Sequence, residues 1–162
     1  QILAIEPTYT AHPYGWAVIA ILRTMQFTIH ADGGARGNPG PAGAGALIRD
    51  ELGNAVGSVS KFLGHRTNNF AEYEAGILAF EELKKIAHGK LEGTRVIVKL
   101  DSELIVKQMN GVYKVKHPVL KEQYARLIQV IGAFGKVSFT HVRREENSDA
   151  DALANEAMDK GV

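Results

Sequence analysis

The 162-residue chain has no cysteine, so disulfides, thiolate zinc sites and cysteine nucleophiles are excluded. Its six histidines show neither HxxxH nor HxxH spacing, so any metal must be held mainly by oxygen. Charge excess is also missing. With a formal net charge of +1, a polyanionic ligand must be gripped by a local basic patch or by metal ions, because the surface as a whole is not basic. The apolar run over residues 16–22 is too short to span a bilayer, and neither a basic segment nor a small-residue cleavage site frames it as an export signal. There is no internal repeat and no low-complexity tract. These absences describe a soluble, cytoplasmic protein with no obligate partner evident, and a monomer is the default.

What is there fits one ordinary globular domain with a real core: 45% hydrophobic and 23% charged residues. Residues 1–24 read apart from the rest, as an extension of unknown role. Residues 25–162 read as the working domain, with Met25 as its functional start. The alternative for the first 24 residues is an extra strand on the sheet edge.

Met25, Phe27, Ile29 and Ala31 alternate with Gln26, Thr28 and His30, the period of a half-buried strand ending at Asp32. The glycines and prolines of 33–41 predict a tight loop beside that acid. Residues 43–50 and 55–64 read as two further strands joined by a turn at Gly53-Asn54, giving an antiparallel meander. Asn68 or Asn69 is a suitable N-cap for a helix with Phe70, Tyr73, Ile77, Phe80 and Leu83 on its apolar face and Glu72 in its first turn. Residues 95–100, with a continuous Val96-Ile97-Val98 core, predict a strand buried on both faces that ends at Asp101. A short helix over 102–110, a loop over 111–117, a helix over 119–134, a strand over 137–142 and a helix over about 148–159 complete the order. The pattern is α/β with a mixed sheet.

Two acids, Asp32 and Asp101, each close a strand. Ligand sites form at the carboxyl ends of strands in sheets with parallel pairs, so the two side chains can share one crevice that Glu72 and Asp151 can reach. Four neighbouring carboxylates repel and call for a cation, and hard oxygens select Mg²⁺ or Mn²⁺ over Zn²⁺. Two such ions suit an in-line phosphoryl displacement. Three of the acids also have an ordinary role open to them. Glu72 and Asp151 in first helical turns oppose the helix macrodipole, and Asp32 before glycines suits a turn.

Residues 32–41 (DGGARGNPGP), Thr67-Asn68-Asn69-Phe70-Ala71-Glu72, Asp101-Ser102 and residues 146–154 (ENSDADALA) resemble, in order and spacing, the motifs of the type 1 ribonuclease H family. The resemblance covers residues 25 to about 159. It implies a ribonuclease H-like fold, with a five-stranded mixed sheet of order 3-2-1-4-5 flanked by helices. It further implies an endonuclease that cuts the RNA strand of RNA–DNA hybrids by two-metal-ion catalysis, leaving 5′-phosphate and 3′-hydroxyl ends. Carried over, Asp32, Glu72, Asp101 and Asp151 are the metal carboxylates, for two Mg²⁺ ions with Mn²⁺ as substitute. Gly33, Gly34, Asn38, Asn68, Asn69 and Ser102 lie along the substrate. The glycine backbone comes close to RNA sugars, whose 2′-hydroxyls distinguish RNA from DNA without sequence readout.

Three features depart from the family pattern. Arg144 stands where many members have a histidine in the flexible loop before the last helix. It cannot act as a base at neutral pH, which leaves it an auxiliary role in steadying phosphate, or none. Glu103 replaces a frequent glutamine and adds an acid near the substrate. Residues 111–118 are too short for the basic protrusion of some bacterial members, so the resemblance is to the bacterial or archaeal form without it. Lys107, Lys114, Lys116, Lys121 and Arg126 against Glu103 and Glu122 make a patch of +3 over 103–126. Lys114 and Lys116 are its best candidates for the DNA-strand phosphates; a solvated helix face is the alternative. A weakly active nucleic-acid binding module of the same fold, or the ribonuclease H domain of a larger polymerase-type chain, are the competing functions.

Overall fold

The computed structural model describes residues 9–11, 17–19, 24–89 and 91–161. Strands β1 (Tyr9–Ala11) and β2 (Ala17–Ile19) pair with each other, antiparallel, and do not join the main sheet. The edge strand considered for the first 24 residues is therefore not formed by these two segments; the remainder of 1–23 lies outside the described residues.

The main sheet begins with β3 (Met25–Ala35), whose Phe27, Ile29 and Ala31 are buried in the alternation seen in the sequence. β4 (Gly40–Arg49) and β5 (Ala55–Arg66) follow as an antiparallel meander. The β4–β5 turn is closed by Asp50, whose Oδ1 accepts from the Leu52 and Asn54 amides at 2.9 Å, while Gly53 supplies φ +83°. α1 (Asn68–Ile86) crosses to β6 (Thr94–Leu100), which pairs parallel to β3. α2 (Glu103–Met109), α3 (Pro118–Ile131), β7 (Lys136–His141), a 3₁₀ turn (Arg144–Asn147) and α4 (Ser148–Lys160) complete the chain. The sheet order is β5-β4-β3-β6-β7. Numbered from the first strand of this sheet, that is 3-2-1-4-5, as the resemblance implied.

α1 and α3 pack together on one face of the sheet, and α4 packs on the other across β3, β4 and β5. Phe80 of α1 meets Phe134 edge-to-face at 5.1 Å in a core that includes Ile29, Tyr73, Leu83, Val96, Val98 and Leu127.

The glycine-rich segment is the chief local correction. The expected loop over 33–41 shrinks to 36–39, because β3 runs on through Asp32, Gly33 and Gly34 to Ala35 and β4 starts at Gly40. Glycine here serves helix seating. A Cβ on Gly33 would fall inside the backbone of Ala71 and Glu72 in α1, and one on Gly45 inside the backbone of Ala150 and Ala154 in α4. Two smaller corrections concern caps and burial. The N-cap of α1 is Thr67, whose Oγ1 accepts from the Phe70 amide at 3.3 Å, so Asn68 and Asn69 lie inside the helix. β6 is buried on one face only: Val96, Val98 and Leu100 are inside, whereas Arg95 is exposed and Ile97 and Lys99 are half-exposed.

Candidate active site

β3 and β6 pair in parallel as far as His30–Lys99, and both acids lie just past that point, Asp101 directly after β6 and Asp32 inside β3, which it was expected to close, because pairing with β4 carries the strand on to Ala35. Glu72 joins them from α1, in its second turn and not its first, since the helix opens at Asn68. The macrodipole acts over the first turn, which weakens that alternative for Glu72. One carboxylate oxygen from each of Asp32, Glu72 and Asp101 lies within 4.8 Å of the other two. Asp32 is buried and Glu72 Oε2 is buried without a hydrogen-bond partner among the described residues.

This crowding is electrostatically expensive. Burial first, then the Asp101 and Asp151 carboxylates, push the Asp32 pKa up to about 7, with Arg144 opposing. Burial, then Asp32 and Asp101, hold Glu72 well above the ordinary carboxylate range, against the Gly33 amide that hydrogen-bonds to it. Three hard oxygens close together, with the buried Glu72 Oε2 unpartnered among the described residues, fit a divalent cation, and this group could hold one.

Asp151 stands apart from that set. In the first turn of α4, its Oδ1 accepts from Arg144 Nη2 at 2.7 Å and its Oδ2 from Asn155 Nδ2 at 3.0 Å. Arg144 itself opens a 3₁₀ turn, closed where the Arg143 amide donates to Glu146 Oε2 at 3.0 Å.

Sequence reasoning missed Asn147. Only 1% exposed, it donates from Nδ2 to the Ala31 carbonyl at 2.9 Å and to Asp101 Oδ1 at 3.3 Å. It thus ties the base of α4 to the ends of both β3 and β6. The ENxxAD motif was the available signal, though nothing in it says that the side chain is buried.

Of the expected substrate residues, several hold the site's own backbone. Asn68 Oδ1 accepts from the Ala35 amide at 2.7 Å, and Asn38 Oδ1 from the Asn68 amide at 3.1 Å, which docks the 36–39 turn on the start of α1. Ser102 caps α2, accepting from the Ile105 amide at 3.5 Å. Gly33 faces α1, whereas the nearest atom to a Cβ on Gly34 is Met158 Cε at 3.8 Å. Asn69, with Asn38, Arg66, Phe70 and His117, lines a cleft of about 680 Å³ at the start of α1, the helix that carries Glu72. Lys114 and Lys116 are exposed between α2 and α3.

The +3 patch is smaller in space than in sequence. Lys107 pairs with Glu103 at 2.7 Å, which neutralises the extra acid, and Arg126 Nη1 is spent on buried Glu74 at 2.7 Å. Gln123 completes that network, donating to Glu74 at 2.6 Å; its partners hold the Glu74 carboxyl below its ordinary pKa despite its burial. Lys114, Lys116 and Lys121 remain.

The "Reverse transcriptase-like" family model matches residues 30–157. Ribonuclease HI of Halobacterium salinarum is 38% identical over 133 residues, 81% of this chain and 64% of its own length. The structure of LC11-RNase H1, isolated from compost by a metagenomic approach, superposes with a TM-score of 0.79 at 50% identity, covering 84% of this chain and 97% of that one. The chain belongs to the ribonuclease H family. The bifunctional protein Rv2228c of Mycobacterium tuberculosis, 41% identical over 136 residues, spans 83% of this ribonuclease H chain. The match covers 36% of Rv2228c, so this chain spans about a third to two thirds of the length of these two curated relatives. As in the family form without a basic protrusion, only residues 110–117 separate α2 from α3.

Proposed function

We propose that this chain is an endonuclease that hydrolyses the RNA strand of RNA–DNA hybrids, with residues 25–162 as its catalytic unit and 1–24 as an extension. The observation that carries this reading is the meeting of Asp32, Glu72 and Asp101 oxygens within 4.8 Å just beyond the point where the parallel pairing of β3 and β6 ends. LC11-RNase H1 has also been solved with an RNA/DNA hybrid, which supports the same substrate class here. We further propose a monomer acting in the cytoplasm.

Asp32, Glu72 and Asp101 would hold Mg²⁺, with Mn²⁺ as substitute, and Asp151 is assigned to a second ion. Such ions activate water and stabilise the leaving oxygen in phosphodiester hydrolysis. The protein's own part is to hold these acids rigidly: Asp32 within β3, Glu72 by the Gly33 amide, and Asp101, directly after β6, by Asn147. The Asn38–Asn68 pair shapes the adjoining turn, and Asn69 lines the cleft next to it. Gly34 and Ser102 border the acids, and Lys114 and Lys116 are assigned to the DNA-strand phosphates. Arg144 shields Asp151 and lowers the pKa of both Asp32 and Glu72, so it steadies a partly ionised site and carries an exposed cation beside it.

Incubation with labelled hybrid, double-stranded RNA and single-stranded RNA, each with Mg²⁺, Mn²⁺ or EDTA, tests the proposal. Hybrid cleavage that needs a divalent ion is the expected result. Cleavage persisting in EDTA would sink the metal site, and cleavage of single strands alone would sink the substrate. Arg144→Ala is expected to lower kcat about tenfold with KM for hybrid nearly unchanged, since Arg144 pairs with Asp151 and its charge also acts on Asp32 and Glu72. An unaltered kcat would make Arg144 a surface residue only.

A further inference from the structure

Side chains on β6 and β7 alternate between two faces. Val96, Val98, Leu100 and Phe139 are buried in the core. On the opposite face, Arg95, Ile97 and Lys99 lie in register with Lys136, Ser138 and Thr140. α4 reaches across β5, β4 and β3 and leaves this half of the sheet open: Arg95, Lys136, Ser138 and Thr140 are all exposed. Gln26, Thr28 and His30 of β3 continue the same surface beside Arg95, Ile97 and Lys99.

This surface is basic. None of these positions is acidic until the columns reach Asp101 and Asp32 at the catalytic edge. Arg95, Lys99 and Lys136 make no ion pair among the described residues. Asp149 and Glu146 act on His30 from the rim, and Asp149 is engaged by Arg49 at 3.0 Å. A lysine on the edge strand β7 can be explained as protection against strand pairing. That account does not extend to Arg95 and Lys99, which sit on an interior strand. From Arg95 to Lys99 the cations span about 13 Å, and the column then runs directly into Asp101. Among the described residues the surface has no phenylalanine, tyrosine or tryptophan on which bases could stack, so its chemistry is mainly cation and hydroxyl, suited to phosphates and ribose.

We propose that this open sheet face binds the phosphodiester backbone of single-stranded RNA leaving the active site, the unpaired flank of the strand being cut. The inference rests on the hybrid-cleaving reading for its choice of RNA. It adds a sequence-independent grip that favours hybrids with single-stranded RNA tails over blunt ones.

The test compares steady-state kinetics of the full chain on one hybrid, blunt or carrying a 5′ or a 3′ RNA tail, at low and high salt. Wild type is expected to show a KM about fivefold lower for one tailed form, with the advantage vanishing at high salt. The triple variant Arg95→Gln, Lys99→Gln, Lys136→Gln is expected to lose the advantage while its kinetics on the blunt hybrid stay within about twofold. Because Lys99 is half-buried, the double variant Arg95→Gln, Lys136→Gln, checked by its melting curve, carries the same test if the triple variant does not fold. Fluorescence anisotropy of labelled single-stranded RNA in EDTA reads this face even if no hybrid is cut, which separates failure of this proposal from failure of the hydrolysis reading. Equal KM for tailed and blunt hybrids in wild type overturns the proposal, as does a tail advantage that survives the substitutions. Displacement of the RNA by poly-glutamate more readily than by unlabelled RNA also overturns it, and reassigns the face to an acidic polypeptide.

Discussion

Asp101→Asn is expected to lower turnover of hybrid by at least about a thousandfold, roughly 4 kcal/mol of transition-state stabilisation, while making the metal-free protein more stable. Both effects come from one side chain. Asp101 supplies one of the three clustered oxygens and is the largest cause, after burial, of the raised Asp32 pKa. The sign follows from linkage. With Asp32 near 7 in the fold and 3.8 as its ordinary value, ionisation is disfavoured in the native state, so this group costs stability increasingly as pH rises from about 4 to 7. Removing the Asp101 charge relieves part of that cost. In EDTA the variant is expected to melt higher than wild type by about 3 °C at pH 8, on the order of 1 kcal/mol, and by much less at pH 4. Magnesium is expected to raise the wild-type melting temperature most at pH 8 and the variant's far less. Full activity in the variant would remove Asp101 from the site. A melting advantage independent of pH would mean that charge crowding is not its origin.

Gly33→Ala is expected to destabilise the fold by more than about 3 kcal/mol, lowering the melting temperature by roughly 6–12 °C. The new methyl group would occupy space held by the α1 backbone at Ala71 and Glu72, which cannot yield as a flexible side chain can. The same shift would pull Glu72 from the Gly33 amide and from its neighbours, so any folded fraction is expected to be inactive. Gly34→Ala is the matched control. Its methyl group would meet only Met158 Cε at ordinary contact distance, and a change within about 0.5 kcal/mol is expected. Denaturant melts of the two variants decide the matter. If Gly33→Ala melts with wild type, close seating of α1 is not why glycine stands there.

That pair also shows where the sequence was legible and where it was not. Strand alternation at Phe27, Ile29 and Ala31 and helical spacing at Tyr73, Ile77 and Phe80 are local properties, and the corresponding elements formed as read. A glycine needed for a turn and one needed so that a helix can lie against a strand look alike in sequence, because both report only a missing Cβ. The 33–41 segment was accordingly read as loop, although Gly33 and Gly34 are strand residues. Net charge along the chain misleads for a similar reason: Arg126 adds to a basic stretch in the sequence, yet Glu74, 52 residues earlier, takes up its guanidinium in the fold. Asn147 gave no sign of its burial or of its grip on Asp101 and Ala31, which are far away in the chain.

The motifs by themselves pointed to the family and its strand order and named four acids as candidates, because residue type and spacing along the chain encode local geometry and ligand chemistry. Only the tertiary structure decided how those acids are grouped. It drew Asp32, Glu72 and Asp101 together, left Asp151 to Arg144, and laid bare the basic half of the sheet beside them. Distances of this kind depend on how helices seat on the sheet, through contacts between residues remote in sequence.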